Sequence, residues 1–488
     1  MPHRHCALHL LAAFAAASAR PTAALMVTEY VGMAPSHAFP DSDTPQLLKW
    51  AELTYDPASS RAAAVQLRLL NTTSPAIGKW FGLDFTVGGG GGAALTAKIL
   101  GDKLYVYIDK RPAPQNSPGL GCCADTMRVY DRQTGVAKEW DIDVILDSVF
   151  PENSTFHKAT HTFDVREEGG VVYIYMMVQH SAMTLGAEVF VNAVVAFSTA
   201  TGLVRTTVDG DKYFSFEEKL GTRSTTASDT VYKVQYYRGG ATTGRRLEEG
   251  GGGAVEQWHG NGLLLFQVKD GTKLLAFTHR LGKEAVVLRD PYTYRAGGGA
   301  SGGGGGGEIL QRFGTPAFGQ LDLTHNDTAA EYHAFGVPAG TPVFTGGVHN
   351  LFFTEATQTA SLRGHETLSL FVNSVESGVT SFAYEFAVKL VPQRPGVQPT
   401  DAAFSTASVH AACNFQAVAE GGARAIGDGV FIVADGLSFP TGGMLAAVDV
   451  HGGAAVSLPY PTGATEQHVS LYDPFIRVVA AKGDGTGV

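Results

Sequence analysis

A chain of 488 residues that is 44% hydrophobic and 17% charged can bury a large core or several, which excludes an extended disordered protein. Its formal charge of −10 excludes a general nucleic-acid binder, which needs a basic face. A small anionic substrate stays open, because it feels local rather than net charge.

The N-terminus has the layout of a secretory signal. Arg4 and two histidines precede a short apolar run from Ala7 to Ala17, and Ala17-Ser18-Ala19 or Thr22-Ala23-Ala24 supplies a small-residue cleavage pattern. A disordered Ala-rich leader has the same composition. The apolar run is too short to span a bilayer and no later stretch is long enough, so no transmembrane segment is expected. The expected organisation is a signal peptide over residues 1–24, a single domain over 25–488, and a secreted location. Sequons at Asn71, Asn153 and Asn326 fit a secreted chain. Beyond Cys6 in the leader stand Cys122, Cys123 and Cys413, an odd number that permits one disulfide to Cys413 but implies no framework and no zinc pattern. The oligomeric state is open.

Along the rest of the chain, short runs of Val, Ile, Leu, Phe and Tyr are bounded by Gly, Asp, Asn or Thr. Lys103–Ile108, Val171–Met176, Leu274–Phe277, His349–Thr354 and Val430–Val433 are examples, and the pattern is that of an all-β protein. Pro45–Leu53 and the stretch after Asp141 each read as a short helix. The glycine runs 88–92, 250–253, 297–299 and 302–307 read as loop insertions.

A weak repeat runs through the chain. Met127–Asp131, Val194–Ser198, Ala285–Asp290 and Leu445–Asp449 are each an apolar strand ending in Asp or Ser, followed by a turn or a glycine insertion and a second strand. Phe382–Val388 is a degenerate copy. Another hairpin precedes most copies, as at Gly101-Asp102 and Asp270-Gly271, so two hairpins make a four-stranded unit. Paired β-sandwiches would also give short strands, but recurrence of one hairpin favours a six-bladed β-propeller with long inter-strand loops.

In a propeller, residues far apart in sequence converge at one channel mouth. His161, His259 and His349 each lie near the start of an apolar strand, at separations of 98 and 90 residues. Arg280 closes the strand that pairs with the one after His259, and His279 beside it alternates to the other face. Three histidines on a channel can also bind a metal, but Arg280 opposes a cation there, so no metal is expected. No glycine-rich phosphate loop opens a helix, so no nucleotide cofactor is expected.

Trp258-His259-Gly260-Asn261-Gly262-Leu263, the strand ending Thr278-His279-Arg280, and Glu284-Ala-Val-Val-Leu resemble the Trp-x-His-x-Asn … Ser-x-Arg … valine-rich signature of the arylsulfate sulfotransferase family. Glu308–Gly314 is similar to that family's Glu-Ile-x-Trp-x-x-Gly, and His349 sits where the family has its Gln-His motif. Here Trp258 is adjacent to the histidine, and Val348 stands in place of the glutamine. The resemblance spans roughly residues 150–460. It implies a six-bladed propeller that moves a sulfuryl group from an aryl sulfate donor to a phenolic acceptor, without a nucleotide donor or other cofactor. It makes His349 the nucleophile. The chemistry gives His259 and His161 acid–base roles and Arg280 a hold on sulfate oxygens. Asn261 and Trp258 are the expected substrate-binding residues. A sulfatase-like hydrolase and a non-catalytic propeller binding glycans or proteins are the alternatives.

Overall fold

The computed structural model describes the elements named below, with the connecting residues 101–102, 124–125, 134, 148–150, 169–170, 199–203, 347 and 421. The strands follow one another as antiparallel meanders. The first holds β1 (Val27–Met33), β2 (Lys49–Tyr55) and β3 (Val65–Leu70). The next holds β4 (Ala93–Leu100), β5 (Lys103–Asp109), β6 (Thr126–Asp131) and β7 (Ala137–Asp141), followed by helix α1 (Ile142–Asp147). Then come β8 (His157–Glu168), β9 (Val171–Thr184), β10 (Ala187–Ser198) and β11 (Val204–Asp209), with β12 (Val255–Glu256) added parallel to β10.

The sheet of β13 (Gly260–Gln267), β14 (Lys273–His279), β15 (Glu284–Arg289) and β16 (Ile309–Gly314) follows. After it stand β17 (Val348–Phe353), β18 (Glu366–Val372), β19 (Ser381–Val388) and β20 (Val409–Phe415). β21 (Ala417–Ala419) pairs with a later short strand. β22 (Gly422–Gly427) and β23 (Val430–Asp435) come before that partner, β24 (Leu437–Ser438), and β25 (Met444–Asp449) and β26 (Ala454–Pro459) complete their sheet. Finally β27 (Phe475–Ala481) returns to pair antiparallel with β1. Consecutive sheets pack through their first strands, β4 on β8, β8 on β13, β13 on β17 and β17 on β22. The arrangement is all-β and propeller-like.

Burial on both faces explains the unbroken apolar runs. Along β9, Ile174, Met176 and Val178 join the core shared with the β4–β7 sheet, whereas Tyr175 and Met177 join the core shared with β13–β16. β10 splits the same way: Ala193, Val195 and Phe197 face one side, Val194 and Ala196 the other. A strand covered on both faces has no solvent side to mark with polar residues.

The repeated turn has a local cause. Asp131 accepts from the Thr134 backbone N–H at 3.0 Å, and Ser198 Oγ accepts from the Thr201 N–H at 3.2 Å. Gly202 then takes a φ of +71°, which a side chain disfavours. Helix α1 forms after Asp141 as the sequence predicts: Asp141 caps the Val144 N–H at 3.1 Å, and Ile142 and Leu146 bury one face. The other expected helix is corrected. Within Pro45–Leu53, residues from Lys49 onward are strand β2, held between β1 and β3 with Ala51 opposite Val31 and Leu69. A stretch that short is marginal as a helix, and two flanking strands override its propensity. Residues 1–26, the glycine runs and Cys122 and Cys123 lie outside the described residues, as does the Cys413 side chain.

Candidate functional site

The chemistry gathers at one edge of the sheets, where the inner strands β4, β8, β13 and β17 begin. Antiparallel pairing brings the ends of β5, β9, β14 and β18 and the starts of β6, β10, β15 and β19 to the same edge. Among the described residues, the buried polar side chains lie at or near this edge, apart from Asp164 and Ser198. They are Thr96 and Thr126 in one sheet, Thr160, Thr162, Gln179, His180 and Asn192 in the next, and Asn261, Thr278, His279, Glu284, His349 and Ser381 beyond. Burying polar groups is costly, so their gathering at one edge among the described residues makes that edge the candidate site.

The same inner strands also bulge there. Register shifts fall between Ala94 and Thr96 in β4, Ala159 and Phe163 in β8, Gly260 and Gly262 in β13, and His349 and Leu351 in β17. A bulge adds a residue on one strand only, bends it and re-aims side chains, which suits the rim of a site. His161 is inside the β8 bulge and Asn261 is the extra residue of the β13 bulge. His349, second in β17, precedes the extra Asn350.

Asn261 and His349 are brought together. Asn261 is fully buried, and its Nδ2 donates to the carbonyl of Val348, the residue before His349, at 3.4 Å. His349 is 2% exposed. His161 contributes its backbone to the neighbouring inner strand, and its side chain is not among the described residues. Trp258, His259 and Arg280 also lie outside them. Their chain neighbours are informative: Gly260 follows His259, His279 precedes Arg280, and Gly260 and His279 are paired in register.

A buried ionic cluster stands beside that pair. Glu284 Oε1 lies 2.8 Å from His279 Nδ1, and Glu284 Oε2 accepts from Arg312 Nε at 3.1 Å and Nη2 at 2.8 Å. Burial pushes the Glu284 carboxyl up, but the hydrogen bond and charge of His279 and those of Arg312 together outweigh it and hold it below its ordinary value. An ionised carboxylate only accepts, so Nδ1 of His279 carries the donated proton. The cluster ties the end of β14 to β15 and β16, and so fixes the strand end from which Arg280 departs. His279 is fully buried. Nothing in the residues taken alone marks a charge partner for His279. Glu284 becomes that partner through the register of β14 on β15, which sets Glu284 opposite His279.

Three further hydrogen bonds tie β8 to the β13–β14 pair. Asp164 Oδ2 accepts from the Leu265 N–H at 2.7 Å, and Arg166 Nη2 donates to the carbonyls of Phe266 at 3.4 Å and Leu274 at 3.2 Å. Among the described residues no group of three or more His, Cys, Asp or Glu side chains is placed to hold a metal. Nor is any described helix long and apolar enough to cross a membrane.

No family model matches the chain, and no curated protein does. Among solved structures, an endo-arabinase from Bacteroides thetaiotaomicron is similar at 12% identity with a TM-score of 0.29, covering 80% of this chain and 95% of its own. A GH43 β-1,3-galactosidase bound to galactodeoxynojirimycin is similar at 9% identity with a TM-score of 0.29, covering 77% and 92%. Likenesses this distant carry no argument about this chain's chemistry.

Proposed function

We propose that the chain is a secreted six-bladed β-propeller, processed after residue 24, that transfers a sulfuryl group from an aryl sulfate to a phenol. The observation that carries this reading is the edge where Asn261 bonds the residue before His349 among the buried polar side chains. His349 and Asn261 are two of the residues that the arylsulfate sulfotransferase resemblance singles out, and Gly260 and His279, the chain neighbours of His259 and Arg280, are paired in register at the same edge.

In the proposed reaction an imidazole nitrogen of His349 attacks sulfur, an N–S bond forms, and the S–O bond to the aryl group breaks. The electron pair leaves on the phenolate, which takes a proton from His259 or His161 and departs as a phenol. The acceptor phenol gives its proton to that same histidine and attacks sulfur, and the N–S bond breaks to release the new aryl sulfate. Charge builds on the sulfuryl oxygens in the transition state, where Arg280 and Asn261 are donors in the reading. Trp258 stacks on the aryl ring, and no cofactor takes part.

Rapid quenching with an aryl sulfate and no acceptor, followed by peptide mass spectrometry, tests the reading. A sulfate adduct on His349 is expected, together with loss of transfer by roughly a hundredfold or more in His349→Ala. An unmodified His349 and a fully active variant would overturn it.

A further inference from the structure

Asn192 is out of place by composition. It is 5% exposed within β10, followed by Ala193-Val194-Val195-Ala196-Phe197 of the core, and among the described residues neither of its side-chain amide atoms has a hydrogen-bond partner. A buried carboxamide left so costs about 1–3 kcal/mol, and an apolar residue of similar shape would avoid that cost. Its direction is fixed by alternation. Ala193 and Val195 face the β4–β7 sheet and Val194 faces the β13 side, so Asn192 faces β13 as well. Its Nδ2 lies 3.1 Å from where a Cβ on residue 260 would stand, and Met177 Cγ, also on that side, lies 2.8 Å from the same point. Glycine at 260 is therefore what lets the Asn192 amide and the start of β13 come so close, directly after His259.

We propose that Asn192 is a further ligand-binding residue of this edge, its carboxamide donating to an oxygen of the sulfate group. The identity of the ligand rests on the sulfuryl-transfer reading; the position of the amide does not. A neutral donor complements Arg280, holding an anion's oxygen without adding a second charge. A buried amide that the chain leaves unbonded gains its hydrogen bonds from the ligand, so its cost in the free protein is recovered on binding.

The test compares the full chain with Asn192→Leu and Asn192→Ala. Steady-state transfer from 4-nitrophenyl sulfate to phenol is measured, with the melting temperature of each protein with and without 4-nitrophenyl sulfate. The expected result is a leucine variant at least as stable as the parent whose KM for the donor rises about tenfold, the loss of one good hydrogen bond. If the parent transfers sulfate and both variants stay within about twofold in KM and kcat, the proposal is overturned and the transfer reading stands. If the parent transfers nothing, the transfer reading falls. Asn192 is then supported by a melting shift with 4-nitrophenyl sulfate that the variants lose, and overturned by an equal shift in all three proteins or by none. Variants that both unfold would make Asn192 a structural group and overturn the proposal as well.

Discussion

Glu284 shows how one residue ties chemistry to stability. Its carboxylate is enclosed between His279 and Arg312, and removing one member of a buried ion cluster leaves the others without compensation. Glu284→Gln keeps the shape and deletes the charge, so it is expected to lower stability near neutral pH by about 3 kcal/mol. The pH dependence has a definite sign. The folded carboxyl titrates below its ordinary value of 4.5, so its contribution is complete above that value and is lost as pH falls through the folded one. Urea unfolding of parent and variant should therefore show a constant gap from neutral pH down to about pH 5 and a narrowing gap below it. A gap that widened on acidification would refute the assignment. None of this was legible in the residues, because His279 and Glu284 become partners only once β14 and β15 are in register.

At the scale of the strand, the edge of β13 depends on its neighbour as much as on itself. The Asp164 carboxylate accepts from the Leu265 N–H across two sheets, and deleting it strands a backbone donor. Asp164→Ala is expected to cost about 2 kcal/mol and to speed hydrogen exchange at the Leu265 amide ahead of global unfolding. Exchange-detected mass spectrometry reads this directly, and an unchanged Leu265 amide would show the latch to be dispensable. Elements of this kind divide sharply in how far the chain announces them. The outer hairpins β6–β7, β10–β11, β15–β16 and β25–β26 were readable, since each carries its own turn chemistry in an Asp, Ser or Gly close in sequence. Helix α1 was readable from its Asp141 cap. β2 was not, because its strand character comes from partners on either side. The bulges were invisible for the same reason: whether Asn261 or Asn350 is the extra residue depends on the partner strand. His349 and Asn261 were singled out because they sit in a local motif. Asn192 was not singled out, although a lone amide stands there in an apolar run.

For the molecule as a whole, the meanders count for less than how they are joined. β27 comes from the far end of the chain yet hydrogen-bonds to β1, with Val31 opposite Ile476 and Tyr30 opposite Arg477. It also packs against β4, while β25 and β26 lie against β3, so the last strands touch the first sheet on more than one side. A sheet lacking that strand would present the β1 backbone unpaired, an exposed edge that invites association. Contacts of such sequence separation are costly to form and contribute only once the rest is in place, so they govern cooperativity more than local structure. Deleting residues 475–488 is therefore expected to leave strand content nearly unchanged by circular dichroism while broadening the thermal transition and lowering its midpoint by roughly 10 °C or more. It should also promote self-association, readable by light scattering. The candidate site would report the same event. Its residues come from β8, β13 and β17, which are far from the deletion in sequence but share one edge, so under the proposed function the binding of an aryl sulfate should weaken with no site residue altered. A truncated chain that melted as sharply as the parent and bound equally well would mean that the sheets hold their arrangement without the β1–β27 pairing.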